Sequence, residues 1–166
     1  VYVADHATVT IGGGSITNNE AADGGGMTVG NCQVTLSGTV TIADNKSTGG
    51  ASNLYIKGRQ GVTIDSSSFA PTSKVVFKDR NDKYDGTDYI TNANDLKSNQ
   101  LTCLTTDAGR KFVRAKNSNV YVATVLKDKP TAQNLVYNGT KQTGVTPAGA
   151  EEYYTIGGTT KATQAN

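Results

Sequence analysis

The side chains in this sequence that could do chemistry are few and scattered. Asp44 and Asp65 fall on successive repeats and form the best available carboxylate pair for glycoside hydrolysis, which needs two carboxyl groups flanking one bond. Turn formation is the role expected of each. Lys57 and Arg59 could supply the base of a polysaccharide lyase, but no carboxylate cluster accompanies them. His6 is the only histidine, and no second histidine, cysteine pair or serine motif lies near it, so neither a hydrolytic triad nor a zinc site has support. These residues predict no catalytic site.

The segment from Asn81 to Asn92 gathers oxygen donors around Gly86. A helix–loop–helix calcium site wants an acidic first position and a bidentate glutamate at the twelfth. Those positions here are Asn81 and Asn92, and the third is Lys83. The expectation is a solvated loop without metal, in which Asp82, Asp85 and Asp88 are the residues a calcium ion would have to use. Tyr84 and Tyr89 are the ligand-binding candidates, because aromatic rings on a β surface can stack on sugars; packing in the core or at an edge is the competing role. Cys32 and Cys103 stand 71 positions apart with no metal spacing and are expected to be half-buried, unpaired thiols.

The elements that must position these residues repeat about every 26 positions. Val1-Tyr2-Val3, Val9-Thr10-Ile11 and Ser15-Ile16-Thr17-Asn18-Asn19 run into Gly24-Gly25-Gly26. Met27-Thr28-Val29, Val34-Thr35-Leu36 and Val40-Thr41-Ile42-Ala43-Asp44-Asn45 run into Gly49-Gly50. Leu54-Tyr55-Ile56 and Val62-Thr63-Ile64 begin a third copy that then decays. A repeat of this length marks a solenoid, whose units bury their apolar faces only by stacking. Alternation of apolar residues at period two gives strands with one buried face. Three short strands per repeat, each pairing with its equivalent one coil later, make a parallel β-helix. Asn18-Asn19 and Asp44-Asn45 fall at equivalent corners, where a stacked polar ladder is expected, and the glycines there suit left-handed backbone.

The pattern stops between Asp79 and Asn99, and strand-like alternation returns in 101–105, 111–114 and 119–125. Because an uncovered solenoid end exposes core and unpaired backbone, residues 79–126 read as a last coil plus a cap. Lys127-Asp128-Lys129-Pro130 reads as a linker. Residues 131–166 then hold two or three strands around a tight-turn signal at Asn138-Gly139, too few to close a sandwich.

Composition agrees with an all-β chain: 24 threonines and 19 glycines stand against seven leucines. The net charge of +2 is dispersed, and Lys74, Lys78, Arg80 and Lys83 are interrupted by Asp79 and Asp82, so no basic face for nucleic acid is expected. No apolar run approaches a membrane span. The sequence opens in mid-pattern and reads as an excised piece of a longer chain.

The run from Thr8 through Gly12-Gly13-Gly14-Ser15-Ile16-Thr17-Asn18-Asn19 to Gly24-Gly25-Gly26-Met27 resembles the coils of bacterial surface adhesin-like proteins, which are similar to the repeats of autotransporter passengers and chlamydial polymorphic membrane proteins. The segment from Leu135 to Val145 resembles the opening of the small immunoglobulin-like repeats that follow such coils in surface proteins of gut Gram-positive bacteria. The resemblance implies a short right-handed parallel β-helix over 1–126, the linker 127–130, and an incomplete immunoglobulin-like repeat over 131–166. It also implies an extracellular protein of the bacterial surface or wall, with no shared catalytic residues and no cofactor. The expected role is a non-enzymatic stalk or presentation module whose partners are host or bacterial glycans or matrix proteins. A carbohydrate-binding module and a filament element that self-associates through open coil ends or C-terminal strands are the alternatives; a lyase or hydrolase fragment ranks last.

Overall fold

A computed structural model describes residues 1–4, 6–58, 60–80, 83–115 and 118–124, together with the strand pair 131–132 and 145–146. The chain is mostly β and winds into a β-solenoid of about four turns. Coil 1 comprises β1 (Tyr2–Val3), β2 (Thr8–Ile11), β3 (Gly14–Ile16) and β4 (Glu20–Ala21). Coil 2 comprises β5 (Met27–Val29), β6 (Gln33–Leu36), β7 (Val40–Ile42), β8 (Lys46–Ser47) and β9 (Gly50–Ala51). Coil 3 comprises β10 (Leu54–Ile56), β11 (Thr63–Ile64) and β12 (Lys74–Phe77).

The alternation read from the sequence sets the register. On one side Tyr2, Thr28 and Tyr55 align across β1, β5 and β10, all parallel. On the second, Thr10, Thr35 and Thr63 align across β2, β6 and β11. On the third, Ile16 stacks on Ile42 and Ile42 on Val75. The inward partners Val29, Val34, Leu36, Ile42, Leu54, Ile56, Ile64 and Val75 are buried in one continuous core. In coil 1 the equivalent Val9, Ile11 and Ile16 are only partly buried, since a coil packs against them on one side only.

Beyond their three sides, coil 1 has a fourth strand and coil 2 a fourth and a fifth, which period-two reading does not resolve. After the third side the chain loops out, and β4, β8 and β9 form a small three-stranded arm. Its hinge is the expected polar ladder. Asn18 and Asp44 both adopt left-handed backbone, φ +58° in each. Asn45, 1% exposed, donates from Nδ2 to the carbonyls of Ile16 and Ala43 at 2.8 Å each, and its Oδ1 accepts from Asn19 N at 3.0 Å. Asn53 Oδ1 accepts from Asn45 N at 2.7 Å. Gly25 completes the contact: a Cβ there would lie 1.8 Å from the Lys46 carbonyl oxygen. Asn45→Ala strips partners from several enclosed backbone groups, each orphan costing about 1–3 kcal/mol. The expected loss is about 3 kcal/mol, read as a lowered urea midpoint with unchanged slope.

Coil 3 omits the arm. β12 runs straight from the third side, where Val75 meets Ile42, to the first, where Phe77 meets Leu54, joining the two sides into one sheet. Coil 4 is built mainly of turns: 3-10 turns at Gly86–Asp88 and Ala93–Asp95, helix α1 (Ser98–Leu101), and β13 (Leu104–Thr106), parallel to β12. Its second side is a single bridge, Ile90 to Val62. Beyond it the Asn92 side chain imitates a peptide, donating to Ile64 O at 2.7 Å and accepting from Ile64 N at 3.0 Å. An antiparallel hairpin, β14 (Lys111–Arg114) and β15 (Val120–Ala123), caps this end. Phe112, Val120 and Val122 close the core.

The last described strands, β16 (Thr131–Ala132) and β17 (Val145–Thr146), pair antiparallel. The linker 127–130, Asn138-Gly139 and the rest of the immunoglobulin-like segment expected over 131–166 lie outside the described residues.

Candidate functional site

The segment singled out for ligand binding folds inward. Asp79 and Arg110, 8% and 9% exposed in their side chains, form a two-pronged ion pair: Arg110 Nε to Asp79 Oδ2 at 2.7 Å and Nη2 to Oδ1 at 2.8 Å. The same guanidinium donates to the carbonyls of Lys83 and Arg80 at 3.0 Å each and to Tyr89 Oη at 3.1 Å. Tyr89 Oη also accepts from Arg80 N at 2.9 Å. The Tyr89 ring is fully buried, edge-on to Phe77 and Phe112 with centroids 5.6 Å away in both cases. Burial holds its hydroxyl above the usual tyrosine range. No face of Tyr89 is open to a sugar, so the expectation of a stacking platform does not hold for it; its ring is a core residue with its hydroxyl fixed. Tyr84 is half-buried, with the Arg110 guanidinium 5.2 Å from its ring centre. This is a cation–π seat inside the cap.

Two of the three calcium candidates are likewise engaged. Asp85 Oδ1 accepts from Thr87 N at 2.9 Å and Thr87 Oγ1 at 2.8 Å, capping the 3-10 turn. Asp88 faces Lys83 at 3.8 Å, and Asp82 lies outside the described residues. Among the described residues no group of three or more His, Cys, Asp or Glu side chains could hold a metal ion. His6 is an exposed turn residue at φ +64°, bonded through its backbone N to Asn31 O. Cys32 and Cys103 are both buried and not joined by a disulfide. Arg59 lies outside the described residues, and Lys57 pairs with Asp23 on the surface at 3.8 Å.

The fold does not bring Asp44 and Asp65 together. Asp44 follows β7 at the arm's hinge, whereas Asp65 follows β11 at another corner. There Asp65 accepts from the Ser67 and Ser68 hydroxyls at 2.6 Å each, and these bonds hold its carboxyl at about 2. Its contribution to stability is therefore complete above the ordinary value of 3.8 and is lost as pH falls toward about 2. Asp65→Asn should remove that part of the acid transition, which a series of urea midpoints across this window checks.

The carboxylate that does share a space with Asp44 is Asp107, in the turn between β13 and β14. Both line an open groove of about 590 Å³ between the arm and the outer surface of the straight strands. Val76 and Thr105, stacked in register, form its floor, and Asn18 and Lys46 stand on the arm side. Asp107 Oδ1 accepts from Asp79 N at 2.7 Å, and burial raises the carboxyl above its ordinary value. Lys74 pairs with Asp44 at 3.5 Å. The sequence signal for this groove was weak: its walls are far apart in the chain, and only the straight course of β12 brings them together.

Fold and groove define a parallel β-helix with a side arm and a capped end. Compared with known protein families, with curated proteins and with solved structures, the chain matches none.

Proposed function

We propose that this chain is a non-enzymatic module of an extracellular bacterial surface protein, an adhesin-like stalk that holds other parts of the molecule away from the cell. The observation that carries the reading is where the reactive side chains are spent. Asp65, Asp79, Asp85, Tyr89, Arg110 and Asn45 all hold turns, the cap or the corner ladder. Stacked coils with backbone bonds along the axis resist bending, which suits a spacer. An array of glycans and matrix proteins, read for both retention and cleavage products with calcium present and absent, tests it. Cleavage on any spot would overturn the non-enzymatic reading.

A further inference from the structure

We propose that the groove between the arm and the straight strands of coils 3 and 4 binds a neutral oligosaccharide chain. Its volume of about 590 Å³ falls within the roughly 300–1,000 Å³ typical of ligand sites. Charge narrows the ligand class. Asp44 and Asp107 are offset by Lys46 on the wall and by Lys74, the ion-pair partner of Asp44. A polyanion would meet the two carboxylates and a polycation the Lys46 ammonium, whereas a neutral chain meets neither as net repulsion.

Hydrogen-bonding character narrows it further. The carboxylates only accept, the Lys46 ammonium only donates, and the Asn18 amide and Thr105 hydroxyl do both. A ligand that can satisfy all of these along its length must itself donate and accept at many points, as sugar hydroxyls do. The Val76 side chain gives the floor an apolar strip against which the C–H face of a sugar ring can lie.

The groove is also fixed before any ligand arrives. Asp107 is anchored to Asp79 N, the floor belongs to the β12–β13 pair, and the arm is pinned by Asn45 and Asn53. Little ordering is left to oppose binding. The site differs from the tyrosine segment at 84–89 and goes beyond the stalk reading, which stands without it.

The test is a titration of the intact chain, followed by amide chemical shifts, with neutral gluco-, galacto- and manno-oligosaccharides and with polygalacturonate and chitosan oligomers as charged controls. At least one neutral oligosaccharide should shift the amides of Thr105, Thr106, Gly109 and Gly50. Thr105→Arg, which fills the groove from an outward-facing position, should weaken that binding about tenfold or more with the melting temperature unchanged. Lys46→Ala should weaken it by a smaller factor. Silence with every neutral oligosaccharide at millimolar concentration, shifts confined to other surfaces, or binding of the charged controls alone would overturn the proposal. Cleavage of a bound oligosaccharide would instead overturn the non-enzymatic reading and leave the binding claim standing.

Discussion

Arg110→Leu should destabilise the fold by about 3–5 kcal/mol, because it leaves a buried carboxylate without its cation. Asp79 is 8% exposed in its side chain and would lose two charge-assisted bonds, while the carbonyls of Lys83 and Arg80 would lose a donor apiece. Folded domains have only about 5–15 kcal/mol in total, so a loss of this size should be plain in a guanidinium titration. Arg110→Lys should recover only part of it, since one ammonium cannot reproduce the planar fork that reaches Asp79, two carbonyls and Tyr89 together. The double variant Asp79→Leu with Arg110→Leu should lose less than the sum of the two single changes, because neither charge is then stranded. Full additivity would mean that the pair is not coupled as the geometry requires.

Phe77→Ala should cost a similar amount, about 3–5 kcal/mol. Phe77 is fully buried, stacks beside Leu54 across β10 and β12, and lies within 5.6 Å of Tyr89 and 5.5 Å of Phe112 by ring centroid. It thus packs coil 3 against both coil 4 and the cap. The loss should be uneven: amide exchange should accelerate most in β13, β14 and β15, which depend on this contact, and least in β5 and β6. Phe77→Leu keeps much of the volume and should cost distinctly less. Equal acceleration everywhere would contradict a junction role for Phe77.

These two residues mark where the sequence stops being readable. Over the first two and a half coils, alternation at Val34-Thr35-Leu36 or Val40-Thr41-Ile42 reports burial directly, because each strand has one wet face and one dry face. The repeat therefore reveals the stack and its register. Coil 4 breaks the correspondence. Its place over Ile64 is taken by the Asn92 side chain rather than by a strand, and α1 and two 3-10 turns replace alternation with local bonds. Tyr89 looks like a loop aromatic in a polar stretch, yet Ile90 beside it bridges to Val62, and that bridge carries the tyrosine inside. Asp107 gives no local hint of its neighbour Asp44, since their proximity depends on coil 3 omitting the arm.

The corner ladder shows the opposite case. Asn18-Asn19 and Asp44-Asn45 are one repeat apart, and equivalent places in a solenoid stack. Their pairing was therefore readable from spacing alone, even though the third member, Asn53, was not.

Rod, groove and cap all rest on the in-register stacking of the coils, which paired cysteines test most directly. Thr10 and Thr35 are direct partners on adjacent coils, and Thr63 is the partner of Thr35 one coil further on. Neighbouring strands lie about 4.8 Å apart, so Thr10 and Thr63 are separated by about twice that. A disulfide needs Cα atoms about 4.4–6.8 Å apart. With Cys32 and Cys103 replaced by serine, Thr10→Cys with Thr35→Cys should oxidise to a cross-linked monomer with an unchanged circular dichroism spectrum, and Thr10→Cys with Thr63→Cys should stay reduced. Cross-linking of the second pair and not the first would contradict the stack.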